Sequence, residues 1–99
     1  MQRSVRISRG LRVAASDKPT PAHLRAARAL LGWSQAELAV ASGVSLRTIK
    51  SAELSPDHAP VPGRPATIKR LVAALSGAGV TMVQTGSVIG VSLRRSLDT

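Results

Sequence analysis

The side chains best suited to binding chemistry follow one another between residues 45 and 53. This segment carries hydroxyl groups and two cations around one central apolar residue, Ile49. If the segment is helical and Ile49 is buried, the neighbouring side chains point outward. Hydroxyl, ammonium and guanidinium groups donate hydrogen bonds to phosphates and to base edges. The candidate DNA-binding residues here are Ser45, Leu46, Arg47, Thr48, Lys50 and Ser51.

Arg47 is the strongest single candidate. Its planar guanidinium can donate to the O6 and N7 atoms of one guanine, a contact worth about 1–3 kcal/mol of discrimination against a wrong base. Two other interpretations stay open, a contact to a phosphate and a charge that is merely solvated. Leu46 is apolar and is expected to be exposed. This suits contact with a thymine methyl group but needs no functional explanation.

The residues before this segment predict a short helix over residues 35–42. Ser34 is followed three residues later by Glu37, which is the spacing of a capping box. In such a box each side chain accepts a hydrogen bond from the backbone N–H of the other residue. Trp33 and Leu38 flank the box at the spacing of a hydrophobic staple.

A second short helix is predicted over residues 46–54, directly after a sharp turn. Ser45 is a preferred N-cap residue type, and Val44 and Ile49 again have the staple spacing. Gly43 lies between the two helices, where a chain that turns sharply needs a positive φ. Two helices joined in this way form a helix-turn-helix, whose second helix can enter the major groove of DNA.

This stretch resembles the helix-turn-helix of the Cro/repressor-like (XRE-like) DNA-binding proteins, and the resemblance extends over residues 22–76. Ala39 fits the family pattern for a physical reason: the second helix crosses the first near this residue, and a larger side chain would push the two helices apart. The residues that fall at the family's spacing are Gln35, Leu38, Ala39, Gly43, Val44 and Ile49.

The resemblance implies roles for three polar side chains. It implies that Gln35 contacts the DNA backbone beside the recognition helix. It also implies that Arg28 of the first helix pairs with Glu53 at the end of the recognition helix and locks the two together. The alternative for this pair is two independent, solvated charges.

The loop of residues 55–65 is rich in proline and cannot be helical throughout. The resemblance implies phosphate contacts from the loop before the fourth helix, and Arg64 and His58 are the candidates. The loop departs from the shorter turn, bearing Gly and Lys, of many relatives. We expect both His58 and His23 to be exposed to solvent.

Two further helices and a hairpin complete the expected elements. A first helix over residues 21–31 starts at a proline, and a fourth helix covers about residues 65–76. After two glycines, runs rich in β-branched residues at 81–83 and 88–93 predict a β-hairpin connected by residues 84–87. A lone two-stranded hairpin is marginal in water, so it must pack on the helices or pair with another chain.

The chain is strongly basic throughout. Its 99 residues carry 14 Lys and Arg against 5 Asp and Glu, which gives a net charge of +9. Such a field attracts polyanions and drives phosphate contacts that do not depend on sequence.

Residues 1–20 read as a basic, flexible arm, with arginines at every third position from Arg3 to Arg12. This period fits neither an amphipathic helix nor a strand, and three hypotheses stay open. In the first hypothesis, the arm lies along phosphates or in a minor groove. In the second, it is a solvated tail without a role, or residues upstream of the true start. In the third, it is a targeting peptide rich in Arg and Ser.

The composition argues against several classes of protein. Without cysteine there is no disulfide scaffold and no thiolate zinc site, and a cytoplasmic setting is expected. Two distant histidines make a poor metal site, so we expect no metal and no other cofactor. The sequence shows no Ser–His–Asp arrangement, no paired carboxylates and no phosphate-cradling glycine loop, so we do not expect an enzyme. No apolar run approaches the ~18–20 residues that span a bilayer, so no membrane partner is expected.

We therefore predict a mainly α protein. It has a lambda-repressor-like helix-turn-helix domain of four helices over residues 21–79, followed by a short C-terminal β-hairpin and tail over residues 80–99. The predicted function is sequence-specific binding of double-stranded DNA by a small transcription regulator, with a recognition helix at about residues 45–53. A homodimer is expected because one recognition helix reads few base pairs. Its half-sites would lie about 34 Å apart, and the hairpin would supply contacts between the chains.

Two other functions stay open. The chain can be an antitoxin-like protein-interaction module that masks a partner such as a toxin and binds DNA for autoregulation. It can also bind RNA or DNA nonspecifically through charge alone.

Overall fold

A computed structural model describes residues 18–86 and 88–95 of the protein. Within these residues four helices precede an antiparallel hairpin, which confirms the predicted lambda-repressor-like fold with a C-terminal β-hairpin. The arginines of the predicted arm, from Arg3 to Arg12, lie outside the described residues. The elements are α1 (Pro21–Leu31), α2 (Gln35–Ser42), α3 (Leu46–Glu53), α4 (Pro65–Gly77), β1 (Val80–Thr85) and β2 (Val88–Leu93).

The predicted start signals of α2 and α3 are present. The Ser34 hydroxyl accepts from the backbone N–H of Glu37 at 3.0 Å, and the Glu37 carboxylate accepts from the N–H of Ser34 at 2.7 Å. Ser45 caps α3 by accepting from the N–H of Thr48 at 3.1 Å. Gly43 ends α2 with a φ of 74°, so the chain reverses in the left-handed conformation that favours glycine. These local bonds set where both helices of the motif begin.

The start of α1 is also a capping box, with a histidine in the position that glutamate usually takes. The Thr20 hydroxyl accepts from the backbone N–H of His23 at 3.2 Å. In return, the N–H of Thr20 donates to Nδ1 of His23 at 3.1 Å. Pro19 and Thr20 are both buried, so tertiary packing already includes the residues just before α1.

His23 is only 1 % exposed, and the expectation that it faces solvent is wrong. Its Nε2 lies 3.0 Å from the carbonyl oxygen of Val83 in β1. Because the N–H of Thr20 can only donate and the carbonyl of Val83 can only accept, the ring is the neutral tautomer that carries its proton on Nε2. One imidazole thus fixes the start of α1 and ties the hairpin to it.

The connection within the hairpin is shorter than predicted. Thr85 pairs with Val88, so only two residues separate the strands. Gln84 and Thr85, which were expected in the connection of residues 84–87, belong to β1 instead. Gly86 has a φ of 54°, which suits the tight two-residue turns that match the twist of paired strands.

Gly79 makes the change from α4 to β1 possible. Its φ is 99°, and a Cβ atom there would lie 3.0 Å from the backbone oxygen of Arg94. Its own carbonyl accepts from the N–H of Arg94 at 2.9 Å. The close approach closes the open end of the hairpin against the end of α4.

An aliphatic core joins all six elements, in which α1 contacts α3 and the hairpin while α4 contacts α2 and β1. Trp33, the single aromatic residue of the sequence, lies partly buried at the edge of this core. No helix in the described ranges is long and apolar enough to cross a membrane. The largest fully buried apolar side chains are Leu24, Leu38, Ile49, Leu71, Leu75 and Met82.

Replacing His23 with alanine should lower the free energy of unfolding by about 1–3 kcal/mol, because the buried N–H of Thr20 loses its side-chain acceptor and the carbonyl of Val83 loses the donor on the imidazole. Urea unfolding followed by circular dichroism measures the change. His58→Ala is the matched control, since His58 is exposed, and it should change stability by less than about 0.5 kcal/mol. An equally small effect of both substitutions would contradict the role assigned to His23.

Candidate nucleic-acid interface

α3 has one face in the core and one face in solvent. The buried residues are Ile49, Ala52 and Glu53, which confirms the predicted burial of Ile49. The outer face bears two cations and no anion, next to a leucine that is 36 % exposed. All six residues selected from the sequence lie on it, namely Ser45, Leu46, Arg47, Thr48, Lys50 and Ser51.

The hydroxyls at the start of α3 form a short chain. The Ser45 hydroxyl accepts from the N–H of Thr48 and donates to the Thr48 hydroxyl at 2.9 Å. Ser45 is therefore fully engaged in capping the helix. The Thr48 hydroxyl proton is left for an outside acceptor, such as a phosphate or base oxygen.

Three side chains from three helices meet behind α3, and we name them the Arg28–Glu53–Gln35 cluster. Nε and Nη2 of Arg28 donate to the two carboxylate oxygens of Glu53 at 2.8 and 2.7 Å. The side-chain amide of Gln35 donates to the same carboxylate at 3.1 Å. The expected pairing of Arg28 with Glu53 is confirmed, and the alternative of two independent solvated charges is wrong.

Burial makes this pair different from a surface ion pair. The Glu53 side chain is 4 % exposed and the Arg28 side chain 18 %. The hydrogen bond with Glu53 raises the pKa of the Arg28 guanidinium above its ordinary value, although desolvation acts in the opposite direction. While the Glu53 carboxylate is charged, the stabilisation from Arg28 is fully present below the ordinary arginine pKa, and it is lost as the pH rises through the raised pKa.

Arg25 forms a second link to the end of α3, which sequence reasoning missed. Its Nη1 donates to the backbone oxygen of Glu53 at 3.0 Å, and its Nη2 donates to Asp57 at 2.6 Å. Arg25 and Arg28 are three residues apart, so they share one side of α1. That spacing was the available signal that both arginines face α3.

A groove of about 320 Å³ separates the outer face of α3 from the following loop. Arg47, Thr48 and Ser51 line one side, and Pro62 and Gly63 line the other. A ligand that contacts α3 from outside therefore also meets the chain just before α4.

A family model described as helix-turn-helix matches residues 24–60. The matched segment contains α1 from Leu24, all of α2 and α3, and with them the Arg28–Glu53–Gln35 cluster. This match supports a helix-turn-helix of the Cro/repressor-like (XRE-like) kind over residues 24–60. The match supports DNA binding by this segment, and α3 is the second helix of its helix-turn-helix. No curated protein matches the chain.

Within the helix-turn-helix, Gln35 occupies the first position of α2 and is half-buried. One N–H of its amide is held by Glu53, and a side-chain amide carries two. The second N–H is available to an outside acceptor. Gln35 can therefore join the cluster to a ligand that binds beside α3.

The two loop candidates are separated by the fold. Arg64 is exposed and directly follows Gly63, which lines the groove beside α3. His58 instead lines a groove with Gln84 and Gly86 of the hairpin. Of the two, only Arg64 is next in sequence to a residue of the groove beside α3. Across the described ranges, no group of three or more His, Asp or Glu side chains is placed to hold a metal ion.

Replacing Glu53 with alanine should lower the free energy of unfolding by about 3 kcal/mol or more, because Arg28 is left as an unpaired, largely buried charge. Asp57→Ala is the matched control, since it removes the carboxylate of an ion pair whose side chains are 41 % and 54 % exposed. That change should cost at most about 1 kcal/mol. Chemical denaturation of both variants measures the difference, and equal costs would contradict a special role for the cluster.

Proposed function

We propose that the protein binds a specific sequence of double-stranded DNA through α3 and acts as a transcription regulator. The observation that carries this proposal is the outer face of α3, which is polar and cationic while its inner face is fixed by the core and the Arg28–Glu53–Gln35 cluster. A rigid helix with exposed donors is what reading of base edges in a major groove requires.

In this proposal the side chains divide into two groups by what they contact. Arg47 donates to guanine, with Leu46, Thr48 and Lys50 as neighbouring base or phosphate contacts. Gln35 and Arg64 set the register through phosphates on either side of α3. Ser45 acts through the helix start, because its hydroxyl is engaged with Thr48.

We also propose that the protein acts as a homodimer. A single α3 spans few base pairs, and specific helix-turn-helix proteins gain selectivity by reading two half-sites about 34 Å apart. Two-fold symmetry in the protein then corresponds to a palindromic operator.

One observation favours a second function, an antitoxin-like module that binds a protein partner and regulates its own gene. Val40 on α2 is 85 % exposed and lines a mainly apolar groove with Trp33, Ala36, Glu37 and Ala41. Exposed apolar patches of this kind mark protein contacts. In this alternative a toxin-like gene lies beside the gene for this protein.

Fluorescence anisotropy with duplex DNA from upstream of the protein's own gene tests the main proposal, with a scrambled duplex as control at about 150 mM salt. A preference of about 10³-fold or more supports specific regulation. Equal and steeply salt-dependent binding calls for selection from random duplexes, and failure of that selection to enrich a sequence would overturn specificity. No binding to any duplex would favour the protein-interaction module.

Replacing Arg47 with alanine should relax the preference at one base position and weaken binding to the preferred duplex by about 1–3 kcal/mol. Arg95→Ala is the matched control, because it removes the same charge from an exposed residue that follows β2. The control should keep the full preference. Uniform weakening of the Arg47 variant on every sequence would instead assign Arg47 to a phosphate.

A further inference from the structure

We propose that two copies of the chain associate through the outer edge of β2 and the adjoining face of α1. This inference rests on the proposed function, in which two copies read two half-sites. It adds the surface that holds the copies together.

The first observation is the open edge of β2. The hydrogen bond from the N–H of Arg94 to the carbonyl of Gly79 sets the phase of the ladder between the strands. Because bonded and non-bonded pairs alternate in an antiparallel ladder, Gly90 directs its backbone groups toward β1, whereas Ile89 and Val91 direct theirs outward. In the part of the chain that the structure describes, these two outward N–H groups donate to no other element.

The second observation is that nothing in β2 protects this edge. Natural edge strands are guarded by lysine, proline, bulges or inward-pointing charges. The sequence of β2, VIGVSL, holds neither a charge nor a proline, and its register with β1 has no bulge. The six residues of this edge carry no charge and pair regularly, although the net charge of the chain is +9.

The third observation is an uncharged face of α1 beside the same edge. Ala22, Ala26, Ala29 and Leu30 follow one another on one side of the helix, and Leu30 is 47 % exposed. The two charged residues of α1, Arg25 and Arg28, are turned to Asp57 and Glu53 instead.

The helix face and the strand edge are continuous. Ala22, the buried His23 and Ala26 line a groove of about 120 Å³ together with Ile89, Gly90 and Val91. A strand that extended the sheet beyond β2 would therefore also lie against α1. The surface combines backbone donors and acceptors with an apolar wall.

A second copy is the occupant that this surface fits. An interface with two-fold symmetry brings the same patch together from both subunits, and an antiparallel pairing of β2 with β2 satisfies this directly. The basic residues Arg94 and Arg95 follow the strand, so each copy places them opposite the turn of the other rather than opposite one another. Two chains of charge +9 can thus meet without like charges facing across the new ladder.

The pairing also enlarges the sheet. The hairpin of each copy packs on α1 and α4, and the new ladder adds two strands to this packed surface. Joining two hairpins makes a four-stranded sheet with one α1 from each copy beside the new ladder. The alanines of α1 allow the two helices to lie close together.

Light scattering on the full chain without DNA gives its mass in solution, and hydrogen exchange by NMR reports the amides of β2. The expected mass is that of two chains. The amides of Ile89 and Val91 should exchange more slowly as concentration and dimer fraction rise, whereas those of Gly90 and Ser92 are protected throughout. A single-chain mass at millimolar concentration, or a dimer with unprotected Ile89 and Val91, would overturn the proposal.

Ala26→Glu tests the helix face, because it places two like charges across the two-fold axis. It should shift the mass to one chain and make the Ile89 and Val91 amides exchange at least about 10-fold faster, while continued protection of Gly90 reports an intact hairpin. Ala73→Glu, at an exposed site on α4, is the matched control and should remain dimeric. A dimeric Ala26→Glu variant would contradict the interface.

DNA binding is measured separately on the same samples. A monomeric wild-type chain that still selects one DNA sequence would overturn this interface and leave the proposed function standing. A dimer with protected β2 amides that binds no DNA would leave this interface standing and overturn the proposed function.

Discussion

The two hydrogen bonds from Arg28 to Glu53 are the contact on which the presentation of α3 depends. α2 and α3 have eight residues each, too few for either helix to be stable alone, so their orientation comes from tertiary contacts. The aliphatic core supplies burial but little direction. A guanidinium and a carboxylate held at two points have one geometry, and Gln35 extends it to α2. The cluster therefore fixes where the outer face of α3 points.

The same contacts change how the net charge should be understood. Arg25 and Arg28 are engaged with Asp57 and Glu53 inside the domain, so they contribute little to binding a polyanion. Among the described residues near α3, the cations directed to solvent are Arg47, Lys50 and Arg64. The overall charge of +9 sets a general attraction to nucleic acid, whereas the selectivity that we propose rests on these few positions and on the shape that holds them.

Local sequence signals predicted much of this arrangement. The caps at Ser34 and Ser45 and the turn at Gly43 placed α2 and α3 within one residue of their observed bounds, because these signals act over three or four neighbours. The link between Arg28 and Glu53 came from family resemblance rather than from spacing. His23 was missed because its partner Val83 is sixty residues away and a histidine is not the usual third residue of a capping box. Helix spacing does not encode the base contacts that we propose for Arg47 and its neighbours.

Amide chemical-shift mapping during titration with a selected duplex tests the central claim most directly. If α3 enters the major groove, the shifts should be largest for residues 45–51 and for Gln35, with smaller changes near Arg64. The amides of β2 should move little when the protein is already dimeric. Shifts centred on the hairpin, or spread evenly over all basic residues, would contradict the account and place DNA binding elsewhere on the protein.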